Sequence, residues 1–595
     1  MISQDSLIKI TTTIVLISSL TACNFGQKEG NTNKNATTFN EPADPNPAPS
    51  EAWESVPKGI QASFVTIDNH FPYSSPPAQE QKMGTWQVKA WRGERVHTQV
   101  LIWTSEELKA IHLSPGNLTS DAGDIISSDN IRATFMRYVM ANLLGDRETG
   151  CRDVTLLDTV LVADVITNST TLNFSPKTSR PVWLSIDIPS NAKPGLYYGT
   201  LNICGDDEKQ QQLLNYEVHV SEHQLPPVHE WSYHLDLWQN PFSEARYHQV
   251  ETWSDAHFKA MQPSMQLLAN AGQKVITAVL TEDPWNSQTY DKYHSMIKWV
   301  KKRDGTWEFD YSHFDKWVSF MMDLGIDKYI NCYGMIPWGM QFQYYDESIG
   351  RDTLLRAEPG TDAYLAHWTP MLQDFARHLK EKGWLNKTVF AMDERPMDEM
   401  LKAIEVIKST SPDFQISLAG SFHVELVDKL VDYSLGSAEI IDSISLQKRR
   451  SQGLNTTFYT CCAEAKPNTF TTSPSAEAAW LSWHALNKGY DGYLRWAYNC
   501  WNEDPLQDTR HGEFLAGDTW LIYPNGQTSV RFERLREGIQ DYEKVKHIRK
   551  LLEDQGKKHE LEQLEQAIST FELHTLNIQP ASNTLNAAKA ILNRF

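Results

Sequence analysis

Basic character is scarce in this chain of 595 residues. Lys and Arg total 55 against 75 Asp and Glu, the net charge is −20, and no cationic block appears. The phosphate-neutralising surface that nucleic-acid binding requires is therefore missing, which excludes nucleic acid as a partner. Metal-ligand patterns are missing too: there is no CxxC pair, no HExxH and no clustered set of histidines, so the sequence supports no structural or catalytic zinc, and no cofactor is expected. Cysteine is sparse. With Cys23 set aside, Cys151, Cys204, Cys332, Cys461, Cys462 and Cys500 are irregularly spaced, leaving disulfides and free buried thiols both open. After the first 22 residues, no stretch is apolar enough to span a bilayer.

What is present begins with an export signal. Lys9 precedes the apolar run Ile14 to Leu20, and Leu20-Thr21-Ala22-Cys23 resembles a bacterial lipobox, in which the cysteine is lipidated after cleavage. Residues 1–22 are expected to be a lipoprotein signal peptide and Cys23 the lipid attachment point, with a plain secretory signal as the alternative. The protein is then an exported lipoprotein, held to the periplasmic or cell-surface membrane by its lipid alone. Residues 23–52 are rich in Asn, Thr, Pro and Ala with few large apolar side chains and are expected to be a disordered tether. Aromatics are abundant, with 20 Trp and 22 Tyr; most belong to cores, but flat rings also stack on the apolar faces of sugars.

From 53 to 228 the pattern has period two. In PVWLSIDIP, Val182, Leu184, Ile186 and Ile188 share one face while Ser185 and Asp187 share the other; Leu214, Tyr216, Val218 and Val220 repeat the alternation, and the turn Asn191 to Gly195 separates the runs. This predicts a β-sandwich, ended by the stiff Pro226-Pro227. From 229 to 595 short apolar strands alternate with amphipathic helices, the signature of a parallel sheet wrapped by helices. Eight strands are predicted: WSYHLDLWQ, KVITAVLT, KYINCYGMIPW, TVFAMDE, QISLAGS, DYSLGS, TTFYTCC and GYLRWAYNCW. Eight implies a closed (β/α)8 barrel, with an open doubly wound sheet as the alternative. Leu365, Trp368, Leu372, Phe375 and Leu379 mark one helix, capped by Gly383. A long helix from Val530 carries Leu535, Ile539, Tyr542, Val545, Ile548 and Leu551 on its buried stripe, and a helical extension ends the chain.

Asp393 and Glu394 stand side by side where the fourth strand ends, on the rim where barrels place their chemistry. They could instead cap the helix that follows. Ordinary glycosidases set two carboxyls on opposite sides of the scissile bond, a geometry that adjacent residues do not easily reach. Adjacent carboxylates suit a different mechanism, in which the sugar's own 2-acetamido oxygen attacks C1. Glu394 would protonate the leaving oxygen; Asp393 would accept the amide N–H and stabilise the oxazolinium. Like-charge proximity would help hold the proton on the acid.

The stretch AMDERP around this pair resembles the catalytic motif of glycoside hydrolase family 123, the β-N-acetylgalactosaminidases. AWRGERVHTQVLIW (90–103) is similar to that family's N-terminal sandwich, and YLRWAYNCWNEDP (493–505), GDTWLIYP and SVRFERLREGIQDYE are similar to its last barrel strand and following helix. The resemblance implies retaining exo-hydrolysis of terminal β-linked GalNAc from glycans or glycolipids, no metal, Asp393 as stabiliser and Glu394 as acid/base. For substrate binding, Tyr333 and Tyr459 are candidate hydroxyl donors to the acetamido oxygen. Trp496, Tyr498, Asn499 and Trp501 on the eighth strand, Trp238 and Trp338 at strand ends, and Asp236 are candidate sugar contacts. Arg395 could hold the carboxylates in place, but pairing with Asp398 at the helix start is the simpler expectation. A GlcNAc-preferring hexosaminidase and a non-catalytic glycan-binding lipoprotein are the competing readings.

Overall fold

The structure is a computed structural model and describes residues 37–144, 154–206 and 211–595. Cys23, the export signal and Cys151 lie outside the described residues.

The N-terminal half is the expected sandwich. One sheet carries, in order, Gln61–Val65, Arg95–Thr104, Thr178–Asp187, Ile131–Asn142 and Thr159–Ile166; the other is built around Trp86–Arg92, Gln211–Gln224, Gly195–Cys204, Leu108–Pro115 and Thr171–Phe174. Val182, Leu184 and Ile186 meet Tyr216, Val218 and Val220 between the sheets, in the register that the alternation predicts. The opposite face of the first sheet is not solvated. Trp183 packs there beside Val530, and Thr528–Ser529 adds a short sixth strand to the edge, so the sandwich and the barrel share a core.

Residues 37–52, expected to belong to a disordered tether, are ordered instead. They lie along the sandwich: Glu41 accepts two hydrogen bonds from Arg180, at 2.6 and 2.8 Å, and both side chains are buried. Tyr138 N–H donates to the same carboxylate, and Asp44 accepts from Ser74. A stretch poor in apolar residues is held here by a buried ion pair, which a hydropathy argument does not register.

The second half contains all eight predicted parallel strands: β1 His234–Leu237, β2 Val275–Val279, β3 Tyr329–Tyr333, β4 Thr388–Asp393, β5 Gln415–Gly420, β6 Asp432–Gly436, β7 Asn455–Tyr459 and β8 Gly492–Arg495. They pair in the order β1-β8-β7-β6-β5-β4-β3-β2. The ring nearly closes at β1 and β2, where the ladder is reduced to one bridge, Leu235 to Gln273. Side chains stitch the seam: Gln273 Oε1 accepts from Leu237 N–H at 3.0 Å, and Gln239 Oε1 accepts from Thr277 N–H at 2.9 Å. At β8 a Cβ on Gly492 would fall 1.9 Å from the His234 carbonyl oxygen, so only glycine lets β1 approach.

Of the helices, α1 Asp362–Lys382 starts at the Thr361 cap and ends at Gly383 with φ 72°. Its buried face is Tyr364, Trp368, Met371, Leu372, Phe375 and Leu379; Leu365 is exposed. α2 Met397–Thr410 follows β4, α3 Ala476–Lys488 precedes β8, and α4 Val530–Asp554 begins at the Ser529 cap. On α4 the buried residue of the last turn is Leu552, while Leu551 is half-buried. The same helix locks the domains together: Arg531 meets Asp164 at 2.9 Å, Arg534 meets Asp68 at 2.9 Å, and Lys544 meets Glu94. Cys332, Cys461 and Cys500 are free thiols, whereas Cys204 and Cys462 are disulfide-bonded.

Candidate active site

Asp393 closes β4, and Glu394 is the first residue past it. Neither caps the next helix. The N-cap of α2 is Pro396, without a side-chain cap, and the first-turn acids that complement the helix dipole are Asp398 and Glu399. Arg395 pairs with Glu399 at 3.1 Å rather than with Asp398, whose partner is Lys402. An i,i+4 pair lies on one helix face, which favours Glu399. The two rim carboxylates are thus left for other work.

They face a cavity of about 200 Å³ at the C-terminal mouth of the barrel, walled by Trp238, Trp285, Trp338, Tyr459 and Trp496. Asp393 lies half-buried among indoles. Its Oδ2 accepts hydrogen bonds from Trp285 Nε1 at 2.8 Å and Trp338 Nε1 at 3.0 Å, while no described residue bonds Oδ1. Burial raises the Asp393 pKa from its ordinary value, and the Glu394 charge adds to the rise; the two indole donors and Arg395 oppose it. Glu394 is exposed at the mouth and accepts a hydrogen bond from Tyr459 OH. Burial, and then the Glu394 charge, push the Tyr459 phenol up, so it stays a neutral donor.

Trp285 stands on a strained loop. Asp283, Asn286 and Ser287 all have φ between 45° and 63°, and Pro284 O accepts from Trp338 N–H at 2.8 Å, joining the two indole-bearing loops. The Trp285 ring stacks on Trp238 at 5.3 Å and meets Tyr333 at 5.1 Å. Opposite, Trp496 packs on Phe514 at 5.1 Å and donates Nε1–H to Asp518, whose carboxylate is buried in an ion pair with Arg495.

Of the predicted contacts, Trp238, Trp338, Tyr459 and Trp496 line the cavity with the carboxylates. Others do not. Tyr333 is buried behind Trp238 and Trp285. Tyr498 donates its OH to Ser264 O, Asn499 is bonded to the Asn240 backbone on both sides, and Trp501 donates Nε1–H to Ile522 O; all three are fully buried. The three share one cause: β8 ends at Arg495, and beyond it the backbone is bonded to Trp238 and to residues 519–521, so the strand alternation no longer applies. Asp236 lies inside the barrel, near Asn331 at 3.5 Å, where burial lifts its carboxyl well above the usual range. Sequence reasoning missed Trp285, Phe514 and Asp518. Trp285 lies just past a strand end, so the rule that singled out Trp238 and Trp338 also applies to it; Phe514 and Asp518 lie on a long loop with no periodic signal.

Family models match both parts of the chain. A model described as the glycoside hydrolase 123 catalytic domain matches residues 238–548, and one for the glycoside hydrolase 123 N-terminal domain matches 64–205. The chain belongs to glycoside hydrolase family 123. Among solved structures, this family 123 hydrolase is similar to a family 123 enzyme from Clostridium perfringens, described for the hydrolysis of glycolipid glycans. The TM-score is 0.81 at 29% identity, covering 90% of this chain and 99% of that one. Two other structures are only remotely similar: a β-glucuronidase from Parabacteroides merdae at TM-score 0.27 (9% identity, 74% and 50% coverage), and an endo-β-1,4-mannanase from Thermotoga petrophila at 0.33 (9%, 53% and 78%). No curated protein matches the chain.

Proposed function

We propose that this hydrolase is a retaining exo-β-N-acetylgalactosaminidase in which the substrate's acetamido group is the nucleophile. The observation that carries the reading is the clamping of Asp393. Two indole N–H groups hold Oδ2, orienting the carboxylate so that Oδ1 is the free acceptor for a substrate amide N–H. That bond turns the acetamido oxygen towards C1, and the same carboxylate offsets the positive charge that develops on the oxazolinium. Glu394, exposed at the mouth, is placed to give a proton to the leaving oxygen and then to take one from the water that opens the ring. Tyr459, now bonded to Glu394, can turn its hydroxyl to the acetamido oxygen.

A two-carboxylate mechanism has less support. The other carboxylate of the cavity wall, Asp518, is fully buried against Arg495 and Trp496, away from an attacking position. A cavity of about 200 Å³ with an aromatic wall suits a single terminal sugar, in keeping with exo-action. The Clostridium relative's action on glycolipid glycans makes such glycan ends the natural candidates.

Hydrolysis of 4-nitrophenyl β-GalNAc and β-GlcNAc, with the anomer of the first product read by NMR, tests the reading. Release of GalNAc as the β-anomer is expected. Preferential release of GlcNAc transfers the assignment to a hexosaminidase, and the α-anomer refutes the mechanism. The reading also keeps Cys23 as the lipid anchor of an exported protein; palmitate labelling that survives Cys23→Ser would remove it.

A further inference from the structure

The ring of Trp496 is the first of a series that leaves the catalytic cavity. Trp496 meets Phe514 at 5.1 Å, Phe514 lies parallel to His511 at 6.2 Å with 5° between planes, and His511 meets Tyr290 at 6.1 Å. Arg246 then covers Tyr290, its guanidinium carbon 4.6 Å from the ring centre. All these side chains are partly exposed, and Tyr290 is 44% exposed, an unusual position for a large ring whose only task is packing. Burial lowers the His511 pKa, so its imidazole is a neutral ring at physiological pH.

Tyr290 and Arg246 also line a second, open cavity of about 890 Å³, with Gln249, Asn502, Glu503 and Asp504 among its walls. This is more than four times the catalytic cavity of about 200 Å³. Its lining is amide, carboxylate and guanidinium, the groups that bond sugar hydroxyls, with the half-buried Tyr247 and the exposed ring of Tyr290, whose face can stack on a pyranose. Arg246 is held in place by Asp291 at 2.7 Å and by the carbonyls of Trp501 and Asn502. The lining sets the carboxylates of Glu503, Asp504 and Asp508 against the guanidinium of Arg246, with Arg137 offsetting part of the Asp504 charge, so the cavity is net negative and disfavours anionic sugars.

The geometry points to an extended subsite for neutral sugars on the reducing side of the cleaved bond, running from Trp496 over Phe514 and His511 to Tyr290 and Arg246. This rests on the exo-acting reading above, which puts the terminal sugar in the catalytic cavity and sends the rest of the glycan outwards. The ladder then selects a glycan rather than a simple aglycone.

The test compares kcat/KM on a neutral tetrasaccharide ending in β-GalNAc with kcat/KM on 4-nitrophenyl β-GalNAc, for wild type, Tyr290→Ala and Tyr290→Phe. Tyr290→Ala should lower the tetrasaccharide-to-aryl ratio about threefold to tenfold, the effect of one lost stacking contact, and Tyr290→Phe should restore it. An unchanged ratio in Tyr290→Ala overturns the subsite. If wild type cleaves neither substrate, the catalytic reading falls, and ligand-observed NMR with lactose decides the ladder separately. Saturation transfer to lactose that Tyr290→Ala abolishes supports it; no transfer in wild type overturns it.

Discussion

Replacing Trp285 by Phe removes one hydrogen bond to Asp393 and little else. The phenyl ring keeps the wall against Trp238 and Tyr333, while the Nε1–H that meets Oδ2 at 2.8 Å is lost. A hydrogen bond to a charged group contributes roughly 1.5–3 kcal/mol. Asp393 is only half-buried, so solvent screening brings the figure to about 1–2 kcal/mol, or roughly fivefold to thirtyfold in kcat/KM. Trp338→Phe should lose less, because its bond is 3.0 Å and its ring is 39% exposed. The pH profile carries a second signature. Burial already raises the Asp393 pKa, so activity that needs the carboxylate is lost as pH falls through a value above the ordinary range. Removing an indole donor removes stabilisation of the charged form, and the acid limb of kcat/KM moves to higher pH. The assay is kcat/KM against pH on aryl β-GalNAc, in the wild-type and Asp393→Asn backgrounds. If Trp285→Phe costs as much activity with Asp393→Asn as without it, or leaves the acid limb in place, the two residues are not coupled as argued.

Glu394→Gln should abolish cleavage of natural glycans, which need a proton on the leaving oxygen, yet keep measurable turnover of a dinitrophenyl glycoside; equal loss on both argues against the acid role. Asp393→Asn should lose activity with the melting temperature nearly unchanged, as calorimetry can check, since its partners are rim indoles. Glu41→Ala strands Arg180 in the sandwich and should destabilise the protein by about 3 kcal/mol in denaturant titration, leaving kcat per folded molecule intact. Glu477 is buried, and desolvation pushes its pKa up to about 8. The folded state therefore holds a proton that the unfolded state releases, and stability falls as pH rises from about 4.5 to about 8. Glu477→Gln should flatten that fall in melting temperature.

Residues whose fate follows from near neighbours in the chain were legible. Parallel strands buried on both faces read as short apolar runs, and all eight barrel strands, including DYSLGS, stand where those runs are. Asp393 and Glu394 were legible because an apolar run that stops at two carboxylates marks a strand's open end. The segment 37–52 was not, since one buried Glu41–Arg180 pair outweighs its polar composition. Nor was the split of the eighth-strand aromatics, with Trp496 at the cavity while Tyr498 and Trp501 are buried.

By itself, then, the chain determined the succession of sandwich and barrel, the position of the carboxylate pair and the family, because periodicity, turn chemistry and motif are local properties. Only the tertiary structure decided which rings line the cavity, that two indoles from the loops after β2 and β3 hold one oxygen of Asp393, and that a series of ring contacts runs from one cavity to a second. Such facts depend on distances between residues up to 221 positions apart in sequence, as Tyr290 and His511 are. Closing the barrel sets those distances, and no local pattern encodes them.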